Sequence, residues 1–267
     1  MILGWWQKLQ TRRQDAAVVR RAIPDDLWKR TLGRHAFLRR IDPVDAAELR
    51  RMTSLFLDRK EFTASGGLQL RDAMVVAIAA QAVLPVMRLG LDRYNGFVGI
   101  VVHPGQVVAR REQTDEDGLV HEYDEVLAGE AMEGGPVMLS WQDVGAAGRS
   151  AAQSYNVVIH EFAHVLDMAD GIADGVPVLP PELPRNEWEG TLHAEFATLQ
   201  ARVEAGADTA LDSYGAQGVE EFFAVASEAF FVNPQAMQAE HPHLYDLYKR
   251  FYKQDPARDT PAPRRAI

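Results

Sequence analysis

The sequence predicts an α+β fold, mainly helical, with a small mixed sheet lying beside one particular helix. Three observations predict it. Residues 5–60 carry apolar side chains at helical spacing, a β-rich section with turn signals follows between Phe97 and Trp141, and helical periodicity returns from Val157 to Tyr252. With 267 residues, 47% of them hydrophobic, the chain can bury one substantial core. It reads as a single domain over 1–256 with a basic helical N-terminal part, about 1–60, and a disordered tail at 257–267.

In the N-terminal part, Pro24 and Pro43 mark new helical segments, because proline is tolerated in a helix's first turn. Trp5, Trp6 and Trp28 are expected as anchors in the core. Residues 1–60 carry a charge of +7, against −17 for the remainder. Such a run is a solvated face or a docking surface for an acidic partner; without a base-stacking motif, nucleic-acid binding is not expected. Between Leu70 and Leu84 apolar residues are dense on all sides, which predicts a buried helix. The apolar run 73–87 is broken by Gln81 and Pro85 and is too short for a membrane span. The start, MILGWWQKLQ, lacks the plan of a signal peptide, so a cytoplasmic location is the expectation.

In the β-rich section, Phe97–Val102 and Val107–Ala109 flank the turn signal HPGQ and read as a hairpin, with His103 a turn residue. LVHEYDEVL, 119–127, reads as a strand with His121 and Tyr123 on one face. Val137–Trp141, introduced by Gly134, Gly135 and Pro136, reads as an edge strand, since proline cannot donate to a ladder. An edge beside a catalytic helix can accept an extended peptide as a further strand.

The stretch VVIHEFAHVLD, 157–167, carries the chemistry. Its helix is expected to begin near 150–154 and to run to about Met168. His160 and His164 are four residues apart, so on a helix both imidazoles leave one face with Cβ atoms about 5–6 Å apart, a spacing that suits one zinc ion. Glu161 is then placed to take a proton from a water activated by the ion, the arrangement used for peptide hydrolysis. In a chain of this composition HExxH arises by accident roughly 0.02 times, so the surrounding sequence has to support it. The chain has no cysteine, which leaves His and carboxylate as ligands and argues against a closed structural zinc site. Asp167, on the same face, is a candidate acceptor for a ligating imidazole's second nitrogen. The reading is a zincin-like metallopeptidase domain whose Zn²⁺ needs a third protein ligand.

Spacing alone leaves that ligand open among Asp170, Glu187, Glu189, Glu195 and Glu221. Asp170 stands at the metzincin position, but that pattern requires a glycine where this chain has Asp167. His193 reads as a surface histidine. In the stretch LDSYGAQGVEEFFAVASEAFF, 211–231, a helix places Glu221, Ala224, Val225 and Glu228 on one face, where buried carboxylates are costly unless a cation or another partner relieves them.

HEFAHVLDM, SYGAQGVEEFFAVASEAFF, GPVMLSW and HPHLYDLYKRFYKQDP together resemble the Mlc titration factor A family of bacterial zinc peptidases, also called DgsA anti-repressors, over roughly Pro24 to Pro256. The first two stretches are also similar to the catalytic domain of anthrax lethal factor, where a tyrosine seven residues before a Glu-Phe-Phe-Ala run accompanies HEFxH. The resemblance implies that Glu221, rather than its neighbour Glu220, is the third zinc ligand and that Tyr214 supports the transition state. It implies a peptide or protein substrate, with aminopeptidase action one form of the activity. It also implies a rival role, binding of an Mlc-like transcriptional repressor that controls sugar phosphotransferase uptake.

Overall fold

The computed structural model describes residues 2–114, 120–147 and 154–258. The N-terminal part is helical as expected: α1 (Ile2–Arg20), α2 (Asp25–Arg34), α3 (Ala36–Arg39) and α4 (Pro43–Arg59). Pro43 sits in the first turn of α4, and Asp42 caps that turn by accepting from the backbone N–H groups of Val44 and Asp45. Trp28 is buried, but Trp5 is 59% exposed, so it is not a core anchor: among the described side chains of α1 only Ala17 is buried, and the helix rests little of that surface on the core. The side chain of Trp6 lies outside the described residues.

After β1 (Glu61–Ala64) comes α5 (Asp72–Val86), buried along nearly its whole length. A helix apolar all round can be stable only inside, and α5 packs against α4 and against the helix that carries HExxH.

The strands are β2 (Gly99–His103), β3 (Val107–Thr114), β4 (Val120–Leu127), β5 (Gly129–Ala131) and β6 (Val137–Ser140). They form a mixed sheet in the order β1-β2-β6-β5, parallel except for β5, and a separate antiparallel pair β3-β4. The residues either side of HPGQ do not form a hairpin, because β2, with Ile100 and Val102 fully buried, is flanked on both sides by parallel neighbours, and β3 pairs with β4 instead. Nor is 137–141 the edge. Met132–Gly135 closes a tight turn, with Gly134 at φ 62, that lays β5 outside β6. The expected strand over His121 and Tyr123 is present as backbone, while their side chains lie outside the described residues.

α6 (Trp141–Ala146) leads to α7 (Val157–Asp167), the HExxH helix. α7 starts later than its apolar pattern suggests, because the Asn156 side chain accepts from the Ile159 N–H and caps it; residues 148–153 lie outside the described ones. Phe162 anchors α7 among Phe56, Tyr94 and Phe97, with ring centroids 5.0–5.8 Å away. The chain closes with α8 (Arg185–Glu204), α9 (Val219–Val232), α10 (Pro234–Glu240) and α11 (Pro242–Tyr252). α9 packs against α7 on one side and against α11 on the other. Beyond α11, Ala257 is tied by its N–H to the Tyr245 hydroxyl, so the expected tail leaves an ordered anchor; residues 259–267 lie outside the described ones.

Candidate metal centre

α7 and α9 bring three of the sequence candidates to one point. Single ligand atoms of His160, His164 and Glu221 all lie within 4.8 Å of one another. His160 Nε2 stands 3.2 Å from His164 Nε2 and 3.1 Å from Glu221 Oε2, and His164 Nε2 is 3.5 Å from the same oxygen. The helical i, i+4 spacing aligns the two rings, and Glu221 meets them from the first turn of α9.

The second nitrogen of His160 explains what these atoms require. His160 Nδ1 lies 2.8 Å from Glu228 Oε1, two helical turns beyond Glu221 on the same face of α9. The carboxylate accepts, so Nδ1 carries a proton and Nε2 is the nitrogen whose lone pair a metal ion in the cluster would use. Opposite it, Glu221 Oε2 is buried and has no hydrogen bond in acceptable geometry, despite the two nearby ring nitrogens. Facing lone pairs repel unless a proton or a metal ion lies between them. Two imidazoles and one carboxylate are a donor set that fits a divalent metal ion.

The charges around this point are interdependent. Burial would raise the Glu221 carboxyl, but His160 and His164 hold it down at about 2. Burial lowers the His160 imidazole, yet Glu221 and Glu228 outweigh it and raise the ring well above its ordinary value, so a metal ion would bind in exchange for the Nε2 proton. Burial pushes Glu161 up to about 7, against the pull of the two histidines, and raises Glu228 as well. Carboxyl groups gathered in so dry a place are costly, and a bound cation relieves that cost.

Glu161 is 5% exposed and sits under the edge strand β5. A Cβ placed on Gly129 would stand 2.5 Å from Glu161 Oε1, so only glycine lets the strand pass this close. Sequence reasoning missed Gly129, whose signal was a glycine opening a short strand. A cavity of about 280 Å³ opens here, walled by Leu127, Val157 and Val225 with Tyr155, Asp212 and Tyr214. Past the end of β5 a broader groove of about 620 Å³ is lined by Met132, Val165, Met168 and Val178.

Tyr214 lies in a short turn, Ser213–Ala216, whose N-cap Asp212 accepts from the Tyr214 N–H. Its ring centroid is 5.9 Å from that of His160, and the side chain is 39% exposed. Gly215 lets this turn rest on α9, since a Cβ there would stand 3.2 Å from Val225.

The other candidates are placed elsewhere. Asp170 accepts from the Ile172 N–H in the turn after α7. Glu187 pairs with Arg250, Glu189 with Arg185 at 2.7 Å, and Glu195 with His241 at 2.7 Å. Glu220 shares the first turn of α9 but does not join the cluster. His193 is exposed on α8, while His103 ends β2 opposite Ser140. Asp167 is fully buried, and its Oδ2 accepts from Gly175 N–H at 3.0 Å. It holds the loop after α7, so the carboxylate behind a cluster imidazole is Glu228 and not Asp167.

Comparison with known proteins shows the family. The model of the family described as glucose-regulated metallo-peptidase M90 matches residues 6–253. The chain belongs to this family. Among its relatives, Mlc titration factor A of Serratia proteamaculans is 36% identical over 222 residues, covering 81% of this chain and 84% of the relative. The protein of the same name from Klebsiella pneumoniae strain 342 is 34% identical, covering 82% and 83%. That from Salmonella arizonae is 32% identical over 259 residues, covering 96% and 98%. Family membership makes the chain a metallo-peptidase and implies a metal ion. Among the described residues no helix is long and apolar enough to cross a membrane.

Proposed function

We propose that the protein is a zinc-dependent peptidase, with His160, His164 and Glu221 holding the ion. The observation that carries this reading is the convergence of these three donors while the other nitrogen of His160 is held by Glu228. When bound, zinc supplies a Lewis acid that polarises a peptide carbonyl and acidifies water. Glu161, beside the cluster, accepts the proton of the attacking water on its carboxylate and returns it to the departing amine nitrogen. Tyr214 donates its hydroxyl hydrogen bond to the developing oxyanion.

The substrate is a peptide laid along β5. The Ser140 N–H donates to the Ala128 carbonyl, so the hydrogen-bonded pairs of this ladder are Ala128 with Ser140 and, two residues on, Glu130 with Met138. Gly129 and Ala131 therefore turn their N–H and C=O groups away from β6, towards the open edge. An extended peptide can pair there, with its backbone held above Glu161 and side chains entering the hollows at either end of the strand. Cleavage from the amino terminus is the finer reading.

Metal content and cut positions test this. Glu221→Ala loses zinc while Asp170→Ala retains it; the reverse pattern would show that the ligand is misassigned. The zinc-loaded protein, incubated with a defined peptide mixture and read by mass spectrometry, yields products, and their ends distinguish amino-terminal from internal cutting. A second reading, binding of an Mlc-like repressor, is favoured by the relatives' name. It predicts that a purified Mlc-type repressor binds the Glu161→Gln variant as tightly as the wild type. Partner binding with no peptide products would make it the main role.

A further inference from the structure

α5 is apolar along almost its entire length, yet at its centre Gln81 is completely buried. An amide in such a place costs about 1–3 kcal/mol unless its hydrogen bonds are satisfied, and a leucine would fill similar volume without that cost. The Gln81 bonds run in one direction. Gln81 Nε2 donates to the Ala77 carbonyl at 3.0 Å and faces His35 Nε2 at 3.5 Å, while His35 Nδ1 lies 3.2 Å from the Ala147 carbonyl. A carbonyl can only accept, so His35 carries its proton on Nδ1 and offers a lone pair to the amide. This fixes the amide orientation and points Gln81 Oε1 at Asn156, whose Nδ2 donates to it at 3.0 Å.

Asn156 is the cap of the HExxH helix, and four of its groups are committed. Nδ2 bonds to Gln81, Oδ1 accepts from Ile159 N–H at 3.1 Å, the carbonyl accepts from His160 N–H at 3.0 Å, and the backbone N–H donates to Glu228 Oε2. The other oxygen of Glu228 receives His160 Nδ1. A chain of hydrogen bonds with defined polarity thus leads from the middle of α5 to a cluster imidazole, through His35, Gln81, Asn156 and Glu228, each of which is at most 3% exposed.

We propose that Gln81 is a positioning residue for the metal centre. It fixes the Asn156 side chain, and through the Asn156 backbone N–H it fixes the carboxylate that sets the tautomer and orientation of His160. This rests on the reading of His160, His164 and Glu221 as metal ligands. Two substitutions cut the same bond from opposite ends. Gln81→Leu removes the acceptor, and Asn156→Ser removes the donor while keeping a hydroxyl that can cap Ile159.

Zinc affinity, measured by competition with a chromophoric chelator, is expected to fall about 10-fold in each single variant, the lower end of the range for partners behind metal ligands. The double variant is expected to lose about the same 10-fold and not 100-fold, because the bond that couples Gln81 to the metal centre is the one that both changes delete. The absorption bands of the cobalt-substituted protein should shift alike in all three, a signature that a loss of helix stability alone would not produce. Multiplicative losses with unshifted cobalt bands, or affinities equal to wild type, would overturn the proposal. His160→Ala run alongside separates the two levels: if it binds zinc as tightly as the wild type, the metal-centre reading falls and this inference with it, whereas a wild type that depends on His160 beside an unaffected Gln81→Leu overturns the Gln81 role alone.

Discussion

The two sides of α9 differ in what they are made to do. Towards α11, Phe223 lies against Trp188, Tyr248 and Phe251, and Phe230 against Tyr245, Tyr248 and Tyr252, with ring centroids 5.1–6.3 Å apart. Towards α7 the same helix offers Glu221 and Glu228 to His160. The aromatic side gains stability from area and close packing, and the carboxylate side forgoes some of it to keep charges in a dry site. The packed side is the mount for the costly one. With the aromatic face fixed, two carboxylates seven residues apart reach the two nitrogens of a single imidazole without any loop to position them.

The largest effect should come from the polar side and leave the packed side untouched. Glu161→Gln is expected to lower the peptidase rate by about 10²–10⁴-fold, the usual worth of a general base, with zinc content and melting temperature retained. Steady-state kinetics with metal analysis check it, and an undiminished rate would remove Glu161 from the chemistry. Next, Phe223→Ala strikes the packed side. A loss of about 3–5 kcal/mol of unfolding free energy is expected from the cavity left under Trp188, read by denaturant melts, with zinc affinity weakened as the mount loosens. A variant that loses this stability yet binds zinc normally would uncouple the two sides.

A smaller effect is expected at the strand above the site. Gly129→Ala should reduce kcat roughly 10-fold or more in steady-state kinetics by displacing Glu161, because a shift of about an ångström at a reacting group is costly to rate. The smallest concerns pH. Burial pushes Asp167 up to about 7 from its ordinary 3.8, so between those values the folded state holds a proton that the unfolded state has released. Its contribution therefore makes stability fall as pH rises from about 4 to 7. Replacing it as Asp167→Asn should flatten that part of the stability profile, and chemical melts at pH 4.5, 5.5 and 6.5 would show whether the slope persists.

The candidate site was legible in the sequence to unequal depth. HExxH fixes two ring positions by helical geometry, so His160, Glu161 and His164 could be singled out from spacing alone. For the third donor, spacing left five carboxylates open, and only resemblance singled out Glu221. The structure gathers Glu221 with the two histidines, while Glu187 is engaged with Arg250 and Glu195 with His241. Glu228 was recognised as a costly buried carboxylate, but its service to His160 depends on how two helices cross, which neither helix encodes by itself. Asp167 shows the reverse error: one helical face suggested an imidazole partner, and the following loop claimed the carboxylate through Gly175.

By itself the sequence determined the helices, because a period of 3.6 and caps such as Asp42 are local properties, together with the motif residues that helical spacing aligns. It also determined that α5 must be buried, since that helix has no polar face to show to water. Only the tertiary structure decided which strand is the edge, which carboxylates converge, and that Gly129 passes over Glu161. Strand pairing and carboxylate partnership are contests among residues far apart in the chain, and they are settled by packing of the whole core.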